Sequence, residues 1–209
     1  MDIMPSYDDN HFDLAIVDPP YGIGLDVIYK TGLHKTIHKK KQWNNAIPDA
    51  EYFTELYRVS KHQIIWGCNY FGPYIKDVGR IVHDKQMNQE NTKLRFSEAD
   101  IASCSMQKRI TMFRYTWAGN NQGGHINWHN DGIDGRIHPT QKPVKLYEWI
   151  LNKYAKAGQK ILDTHLGSGS IAIACHYFGC DLTGIEIDTE YFNAAKKRIN
   201  EHTKQISFV

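Results

Sequence analysis

The segment from Lys160 to Asp188 places the strongest limit on what this chain can fold into. It reads KILDTHLGSGSIAIACHYFGCDLTGIEID: a short apolar strand that ends in Asp163, a glycine-rich turn, a helix of small residues and a second strand. A strand, a helix and a second strand in this order are typical of a parallel βαβ unit. The segment therefore predicts an open α/β sheet, in which ligands bind at the carboxyl ends of the strands.

The rest of the chain continues this alternation of strands and helices. Apolar runs bounded by polar turns predict strands at Asp13–Asp18, Gln63–Gly67, Arg80–His83, Asp100–Ser105, Lys160–Asp163 and Leu182–Ile187. Helical patterns predict helices at Ala50–Val59, Pro143–Ala155, Ser170–Phe178 and Thr189–Glu201. Asp188 and Thr189 suit the cap of the last helix. The alternation favours a doubly wound, mainly parallel sheet.

The length and composition predict one domain without membrane segments. At 209 residues, we expect positions 1–209 to form a single domain. No apolar run approaches the ~20 residues of a membrane span, and the N-terminus lacks the features of a signal peptide. We therefore expect a cytoplasmic protein with no membrane contact. The four cysteines lack a metal-binding spacing, and His125 with His129 and His34 with His38 have no acidic ligand beside them, so we expect no metal site.

The glycine turn and the acid that follows it predict a nucleoside-binding site. Gly167, Ser168 and Gly169 allow the backbone to approach a ligand closely, and the carboxylate of Glu186 can bind both hydroxyls of a ribose. The turn lacks the third glycine of a dinucleotide motif, and no GK[ST] follows it as in a P-loop. An adenosyl ligand without a pyrophosphate remains. S-adenosylmethionine fits, because its positive charges favour a pocket lined with acids.

The segment FDLAIVDPPYG, at Phe12–Gly22, is an apolar run that stops at Asp18, two prolines and Tyr21. One interpretation is a strand that ends in a turn, since proline cannot continue a hydrogen-bonded ladder. The other is an active-site lip at the carboxyl end of a parallel strand. Both interpretations are compatible with the segment itself.

A third element, HPTQKP, comes just before the helix predicted at Pro143–Ala155. Pro143 suits the first turn of a helix. Thr140 and Lys142 stand before it, and they belong either to an ordinary cap or to a site that holds a carboxylate at the start of the helix.

In this order, DPPY, HPTQKP and D-x-x-x-GSGS with GIEID resemble the motifs of the DNA methyltransferases that act on exocyclic amino groups. The resemblance implies S-adenosylmethionine as the cofactor, adenine N6 or cytosine N4 as the target, and a Rossmann-like sheet of seven strands. The catalytic motif precedes the cofactor motif, as in the circularly permuted β-class. Arg58–Phe71 and Phe96–Met106 also resemble segments of small, often phage-like members, so the resemblance covers nearly the whole chain.

By this resemblance, the acid and the prolines have a chemical role. An exocyclic amino nitrogen is a poor nucleophile because its lone pair is delocalised into the ring. The carboxylate of Asp18 and the backbone carbonyl of Pro19 would accept its hydrogens, and the pair with Pro20 holds these acceptors rigidly. Tyr21 would stack on the target base, which must leave the duplex to be reached. Asp at position 18 favours adenine N6, since SPPY is typical of relatives that act on cytosine N4.

The resemblance also assigns the cofactor-binding residues. Residues of the glycine turn and three other positions are expected around S-adenosylmethionine; they are Asp163, Gly167, Ser168, Gly169, Glu186, Thr140 and Lys142. Glu186 would bind the ribose, whereas Thr140 and Lys142 would lie near the methionine end. The chain departs from many relatives at Thr164 and His165, where they have proline and an aromatic residue. The terminal QISFV, at Gln205–Val209, is expected to supply the edge strand.

Double-stranded DNA is the expected partner, and two segments are candidates for contacting it. The basic run Lys30–Lys41 follows DPPYG and suits phosphates, although such runs are also typical of solvated loops. Residues 107–137 are long for a connection, which predicts a small target-recognition insertion. The expected DNA-binding residues are Lys35, Lys39, Lys40, Lys41, Arg109, Arg114 and Arg136.

Three other interpretations stay open beside an adenine-specific enzyme. The first is a cytosine N4 methyltransferase. The second is an enzyme with an amino acceptor in RNA or on a protein glutamine, against which Asp18 speaks because such enzymes usually have NPPY. The third is a non-catalytic subunit that binds S-adenosylmethionine or DNA, although both motifs are intact. A homodimer and a cognate restriction nuclease, as in restriction-modification systems, are the further partners that the sequence leaves open.

Overall fold

The computed structural model describes residues 3–23, 46–86, 97–118, 121–122, 125–126 and 137–204. Its strands, in chain order, are β1 (Phe12–Val17), β2 (Ser60–Trp66), β3 (Gly79–Asp84), β4 (Ala99–Cys104), β5 (Ile110–Arg114), β6 (Trp117–Ala118), β7 (Asn121–Gln122), β8 (His125–Ile126), β9 (Lys160–Asp163) and β10 (Asp181–Gly184). Its α-helices are α1 (Ala50–Val59), α2 (Val144–Tyr154), α3 (Ser170–Phe178) and α4 (Thr189–Lys204).

Seven of these strands form one sheet in the order β10-β9-β1-β2-β4-β3-β5. Only β4 runs antiparallel to both of its neighbours in this sheet, and the other neighbouring strands pair in parallel. The predicted doubly wound, mainly parallel sheet is thereby confirmed. The permuted order of the motifs stays a prediction.

The sheet carries a hydrophobic core on each face, which explains why β1 is apolar at nearly every position. Leu14 and Ile16 pack into a core that includes side chains of α2 and α3. Ala15 and Val17 belong to a second core, to which α1 contributes Phe53 among others. Because both faces of a parallel strand are covered, its sequence reads as a continuous apolar run instead of an alternating one.

Two helices begin at aspartate caps that position their first turns. The side chain of Asp49 accepts a hydrogen bond from the backbone N–H of Tyr52 at 2.9 Å, which starts α1. The side chain of Asp188 accepts from the N–H groups of Glu190 and Tyr191 at 2.9 and 3.1 Å. The prediction that Asp188 caps α4 is confirmed. This cap directs the chain from β10 into α4, immediately after Glu186.

The structure differs from the sequence prediction at the carboxyl end of β10. The predicted strand runs to Ile187, whereas β10 ends at Gly184. Ile185 still connects the two segments, since its N–H donates to the carbonyl of Asp163 and its carbonyl accepts from the N–H of Leu166, both at 2.8 Å. Glu186 follows the strand and lies close to the glycine loop, where it accepts from the N–H of Gly167.

A second difference concerns residues 107–137, which were predicted as one insertion. Their first part forms β5, whose alternating exposed and half-buried side chains belong to an edge strand paired with β3. The short strands β6, β7 and β8 form a separate antiparallel sheet. A recognition role for this small sheet stays a prediction. Gln205–Val209 lies outside the described residues, as does the whole basic run Lys30–Lys41.

The described residues offer neither a membrane segment nor a metal cluster. Within the described ranges, no helix combines the length and apolar character that a membrane crossing needs. In the same part of the chain, no group of three or more histidine, cysteine or acidic side chains is arranged to hold a metal ion.

Candidate active site

The predicted catalytic and cofactor motifs meet at one rim of the sheet. β1 and β9 are parallel neighbours, with Ala15 opposite Leu162, so Asp163 ends β9 and Asp18 follows β1 at the same rim of the sheet. From β1 the sheet continues to β2, whereas from β9 it continues in the other direction to β10. The strand order thus reverses between β1 and β9. Open α/β sheets bind ligands at such a point.

Asp18 has a different partner on each of its carboxylate oxygens. The hydroxyl of Tyr21 donates a hydrogen bond to Oδ1 at 2.5 Å. The ammonium of Lys142 donates to Oδ2, also at 2.5 Å. The side chain of Lys142 is only 6% exposed, so this ion pair is buried. Each oxygen of the proposed acceptor therefore already accepts one hydrogen bond from the chain itself.

The environment of Lys142 keeps it charged. Burial lowers its pKa, but the carboxylates of Asp18, Asp100 and Asp163 outweigh burial, and the net shift is upward. Its ammonium also lies 5.3 Å from the centre of the Trp66 ring, within the range of a cation–π contact. A buried ammonium is tolerated here because several acids surround it.

Asp100 is a second acid on the same side of the site as Asp18. It lies near the start of β4, which is antiparallel and so begins at the same rim. Burial raises its pKa, but the positive charges of Lys142 and Lys85 reverse the shift, and Lys85 is 2.8 Å away. Asp18, Lys142, Asp100 and Lys85 thus form alternating charges along one side of the site.

Tyr21 is held in place by neighbours on several sides. Its ring stacks on Tyr70 with the centroids 4.8 Å apart and the planes 12° from parallel. The ring also contacts Gly67, where an added Cβ would lie 2.1 Å from it. Gly67 has φ +69°, so glycine serves both the backbone and the ring. Burial and the charge of Asp18 raise the pKa of Tyr21, and the hydroxyl keeps its proton as a donor.

The glycine loop is a backbone turn anchored from below by a buried arginine. Gly167 and Gly169 have φ of +52° and +74°, a region that glycine enters without strain. Arg198 of α4 donates to the carbonyl of Ser168 at 2.7 Å and to the hydroxyl of Ser170 at 3.0 Å. Burial lowers the pKa of Arg198 to about 10. The loop is thus shaped before any ligand arrives.

Asp163 stands at the end of β9 in an unfavourable setting for a charge. It is 2% exposed and accepts a hydrogen bond from the backbone N–H of His165 at 3.0 Å. Burial, followed by repulsion from Asp18 and Glu186, raises its pKa to about 7. A positively charged ligand beside Asp163 would relieve this cost.

Glu186 closes the glycine loop from the side of β10. Its Oε2 accepts from the N–H of Gly167 at 2.8 Å, and its Oε1 accepts from the N–H of Asp188 at 2.9 Å. These bonds fix the carboxylate while leaving further acceptor positions on each oxygen, because a carboxylate offers about four. The arrangement is suited to the two neighbouring hydroxyls of a ribose.

The departure at Thr164 and His165 has a structural explanation. The hydroxyl of Thr164 lies 2.7 Å from the hydroxyl of Tyr52 and 2.9 Å from Nδ1 of His165. Burial lowers the pKa of His165 to about 3, so the ring is neutral. A polar network that reaches α1 therefore fills the place where many relatives have proline and an aromatic residue.

The side chains of Thr140 and Lys142, both expected near the methionine end of the cofactor, point to different parts of the site. The hydroxyl of Thr140 lies 3.1 Å from Nδ1 of His138, whose ring is near the open side of Gly167. Lys142 instead turns its side chain to Asp18, while its carbonyl accepts from the hydroxyl of Ser170 at 2.7 Å. Only Thr140 thus faces the glycine loop through its side chain.

The structure describes two of the seven candidate DNA-binding residues, Arg109 and Arg114. Lys35, Lys39, Lys40, Lys41 and Arg136 lie outside the described residues. Arg114 is at the end of β5, on the same rim as Asp18, and its side chain is 66% exposed. Arg109 precedes β5 and its carbonyl accepts from Arg80 at the start of β3, so it lies at the opposite rim. The structure does not bring Arg109 to the cleft.

Four further residues of the site were missed by the sequence analysis; they are Gly67, Lys85, Asp100 and Arg198. Gly67 carried a signal, since it ends a predicted strand in the way that Asp18 does. The other three are charged residues in segments of ordinary composition. Their roles depend on contacts between distant parts of the chain, which no local pattern predicts.

The fold and the site together define an α/β protein with a glycine loop and an acid–proline lip on one rim of its sheet. The sequence profile of the N6_N4_Mtase family, described as DNA methylase, matches residues 73–197, which is more than half of the chain. The chain therefore belongs to this family of DNA methylases. The matched range contains HPTQKP and the glycine loop, and DPPY precedes it.

Similar proteins agree with this assignment. The Type II methyltransferase M.HpaI of Haemophilus parainfluenzae is 26% identical over 231 aligned residues, which cover 94% of this chain and 71% of the relative. The crystal structure of the M1.HpyAVI–SAM complex has a TM-score of 0.56 at 20% identity, covering 94% of this chain and 91% of that one. The PvuII DNA methyltransferase, which is cytosine-N4-specific, has a TM-score of 0.57 at 10% identity, covering 97% and 86%. At these identities the two solved structures establish the fold.

Proposed function

We propose that this chain transfers a methyl group from S-adenosylmethionine to N6 of an adenine flipped out of double-stranded DNA. The observation that carries the proposal is the position of Asp18 beside the glycine loop, where the strand order reverses. A methyl donor held by the loop can therefore face an amino group held by Asp18. The choice of adenine over cytosine rests on the aspartate at position 18, where N4-specific relatives typically have serine.

The residues on the β9 side fit S-adenosylmethionine. The raised pKa of Asp163 reflects a buried carboxyl that lies near two other acids, and a cation beside it would be stabilised. A Cβ added at Gly167 would meet nothing closer than the His138 ring at 3.6 Å, which leaves room for a ligand there, whereas at Gly169 it would meet Ile199 of α4 at 3.0 Å. Glu186 would bind the ribose, with Ser168 and Thr140 near the loop. When bound, S-adenosylmethionine supplies a methyl group on a positively charged sulfur that becomes neutral as the methyl leaves.

The residues on the β1 side would prepare the acceptor. The amino group of the base donates one hydrogen to Asp18 and the other to the backbone carbonyl of Pro19. This draws the nitrogen toward tetrahedral geometry and directs its lone pair at the methyl carbon. As the N–C bond forms, the nitrogen loses one proton, for which the carboxylate of Asp18 is the adjacent acceptor. Pro20 limits the motion of this lip.

The position of Tyr21 adds one requirement to this scheme. Its hydroxyl occupies Oδ1 of Asp18, and its ring is stacked on Tyr70. A base that takes the position of the hydroxyl on Oδ1 displaces it, which exchanges one hydrogen bond for another. The freed ring of Tyr21 can then stack on the base.

The experiment that tests the proposal is methyl transfer by Asp18→Ala. We expect at least about a 1000-fold loss of tritium transfer from labelled S-adenosylmethionine to duplex DNA, with cofactor binding retained. Asp77→Ala, an exposed aspartate, is the matched control and keeps full activity. Transfer by Asp18→Ala at the wild-type rate would refute the mechanism.

The target base is tested separately. DNA from a methylation-free host that expresses this chain is sequenced with modified-base detection. We expect N6-methyladenine at one sequence motif. N4-methylcytosine would instead support the second candidate, a cytosine N4 methyltransferase. The N4-specific PvuII enzyme has the same fold as this chain. Comparing DNA, RNA and protein acceptors separates both from the other acceptor classes, and turnover by the isolated chain argues against a non-catalytic subunit.

We further propose that DNA phosphates bind along the rim that carries Asp18. Arg114 is exposed there, and the lysines at 35, 39, 40 and 41 and Arg136 follow or precede segments of the same rim in sequence. A DNA substrate agrees with the predicted cytoplasmic location. A homodimer and a cognate restriction nuclease stay predictions, and sedimentation of the protein with and without DNA tests the dimer.

A further inference from the structure

Lys142 has a position that the proposed reaction does not yet use. The resemblance to relatives predicts it near the methionine end of the cofactor. In the structure its ammonium instead lies on Oδ2 of Asp18 and above the ring of Trp66. Its backbone carbonyl is bound by Ser170, the first residue of α3 after the glycine loop. Lys142 therefore connects the two halves of the cleft, with its charge on the side of the target base.

We propose that Lys142 is a positioning residue for Asp18: its ammonium holds Oδ2, and thereby presents Oδ1 to the amino group of the target base. This inference rests on the proposed function and deepens it. It assigns to Lys142 a role in the transfer step, and it removes Lys142 from the set that binds the cofactor.

The two oxygens of Asp18 differ in how easily their partners can be exchanged. Displacing the Tyr21 hydroxyl from Oδ1 exchanges one neutral donor for another, so the count of hydrogen bonds is kept. Displacing Lys142 from Oδ2 would leave a buried ammonium without its contacting carboxylate, which is far more costly. The incoming amino group therefore takes Oδ1, and Lys142 stays in place.

The surrounding charges keep Lys142 where it is. Asp100 is the second carboxylate that favours its charged form, and Asp100 is itself held by Lys85 at 2.8 Å. Lys142 also offsets the repulsion between Asp18 and Asp163, which stand at the ends of neighbouring strands. Without this cation, Asp18, Asp100 and Asp163 would repel one another.

The same charges argue against a role in binding the cofactor carboxylate. An anion that approached the ammonium of Lys142 would meet Asp18, Asp100 and Asp163, which already surround it. A carboxylate gains little from a cation whose charge is compensated. The donors that face the glycine loop, such as Thr140, are better placed for the methionine end.

The test is Lys142→Met, with Lys145→Met as its matched control. Both substitutions remove one ammonium and keep a long side chain, but Lys145 is an exposed residue paired with Glu148 on the surface of α2. For Lys142→Met we expect about a 100-fold lower single-turnover rate at saturating DNA and S-adenosylmethionine, because Asp18 loses its fixed orientation. We expect its Kd for S-adenosylmethionine to stay within about threefold of wild type, and Lys145→Met to change neither quantity.

A double-mutant cycle shows whether Lys142 acts through Asp18. In the Asp18→Asn background, adding Lys142→Met should lower the residual single-turnover rate by less than about threefold. The full 100-fold loss in that background would overturn the proposal. So would a Kd raised about tenfold with an unchanged rate at saturation, since that result describes a cofactor ligand.

Lys142→Arg keeps the test valid where the methionine variant fails to fold. Arginine keeps the charge but cannot place a nitrogen at the same point, so we expect a lower transfer rate and an unchanged Kd for S-adenosylmethionine. A wild-type rate with weaker cofactor binding contradicts the proposal. The proposed function fails separately, if Asp18→Ala alone leaves the transfer rate unchanged.

Discussion

The two halves of the cleft carry similar acids but neutralise them differently. On the β1 side, Asp18 contacts the buried ammonium of Lys142, and Asp100 contacts Lys85. On the β9 side, Asp163 accepts a hydrogen bond from a backbone N–H, and repulsion by Glu186 and Asp18 adds to the effect of its burial. The chain itself thus balances the charge of the target half, whereas the cofactor half keeps a carboxyl whose pKa is raised to about 7.

This difference corresponds to the difference in the ligands. An amino group of a base is neutral and needs oriented acceptors, which a fixed ion pair supplies. S-adenosylmethionine is positively charged at two points, and a strained carboxyl gains most when such a ligand arrives. Sites of this kind are built at the expense of the stability of the unliganded protein.

The largest expected effect is on stability, from Asp163→Asn. A buried acid with a raised pKa stabilises the fold below about pH 4, and this contribution is lost as the pH rises through about 7. The shift from 3.8 to about 7 corresponds to about 4 kcal/mol, so we expect the asparagine to stabilise the unliganded protein by up to that amount at pH 8.

Denaturant unfolding at several pH values measures this effect. The gain from Asp163→Asn should shrink toward zero near pH 4. Asp181→Asn, an exposed aspartate at the start of β10, should give no such gain. An unchanged or lower stability of Asp163→Asn at pH 8 would show that the ionised carboxylate of Asp163 does not destabilise the fold.

Gly67→Ala is expected to disturb the side of the site that holds Asp18 and Tyr21, and to leave the side of the glycine loop unchanged. The added Cβ would lie 2.1 Å from the Tyr21 ring and must displace it. We expect about a 100-fold lower single-turnover rate, with the Kd for S-adenosylmethionine unchanged. Gly158→Ala is the control, because Gly158 also has a positive φ but no atom within 4 Å of its added Cβ. Equal losses in both variants would trace the effect to backbone strain and not to Tyr21.

The pH dependence of cofactor binding tests the proposed role of Asp163. A positive ligand beside Asp163 binds best when that carboxyl is ionised, so affinity should rise with pH through the pKa of about 7. We expect the Kd for S-adenosylmethionine to fall about tenfold from pH 6 to pH 8 in wild type. Calorimetric titration measures it, and Asp163→Asn should remove the slope. A slope that persists in this variant assigns it to another group.

The smallest expected effect comes from Tyr21→Phe. The change frees Oδ1 of Asp18 and keeps the ring that stacks on Tyr70. One neutral hydrogen bond is worth about 1 kcal/mol, so we expect the KM for DNA to fall by up to about fivefold with little change in kcat. Tyr70→Phe, which removes a hydroxyl from the other ring of the stack, should leave KM unchanged. A higher KM for Tyr21→Phe would mean that the hydroxyl itself binds the base.

The elements of the fold were largely readable along the chain, and the exceptions are informative. α1, α3 and β9 match their predicted bounds, since caps, glycines and apolar spacing mark their ends. β5 was missed because it is a half-exposed edge strand, in which alternation is weak and turn residues follow closely. β10 was predicted too long, because Ile185 and Ile187, which follow it, continue its apolar pattern.

The sequence by itself determined the order of the elements, the glycine turn and the acids at the strand ends. These follow from preferences that a residue shares with its neighbours along the chain. Only the tertiary structure decided that Lys142, 124 positions away, binds Asp18. The reason is that a lysine side chain reaches in any direction, and its partner is chosen by the charges that folding buries around it.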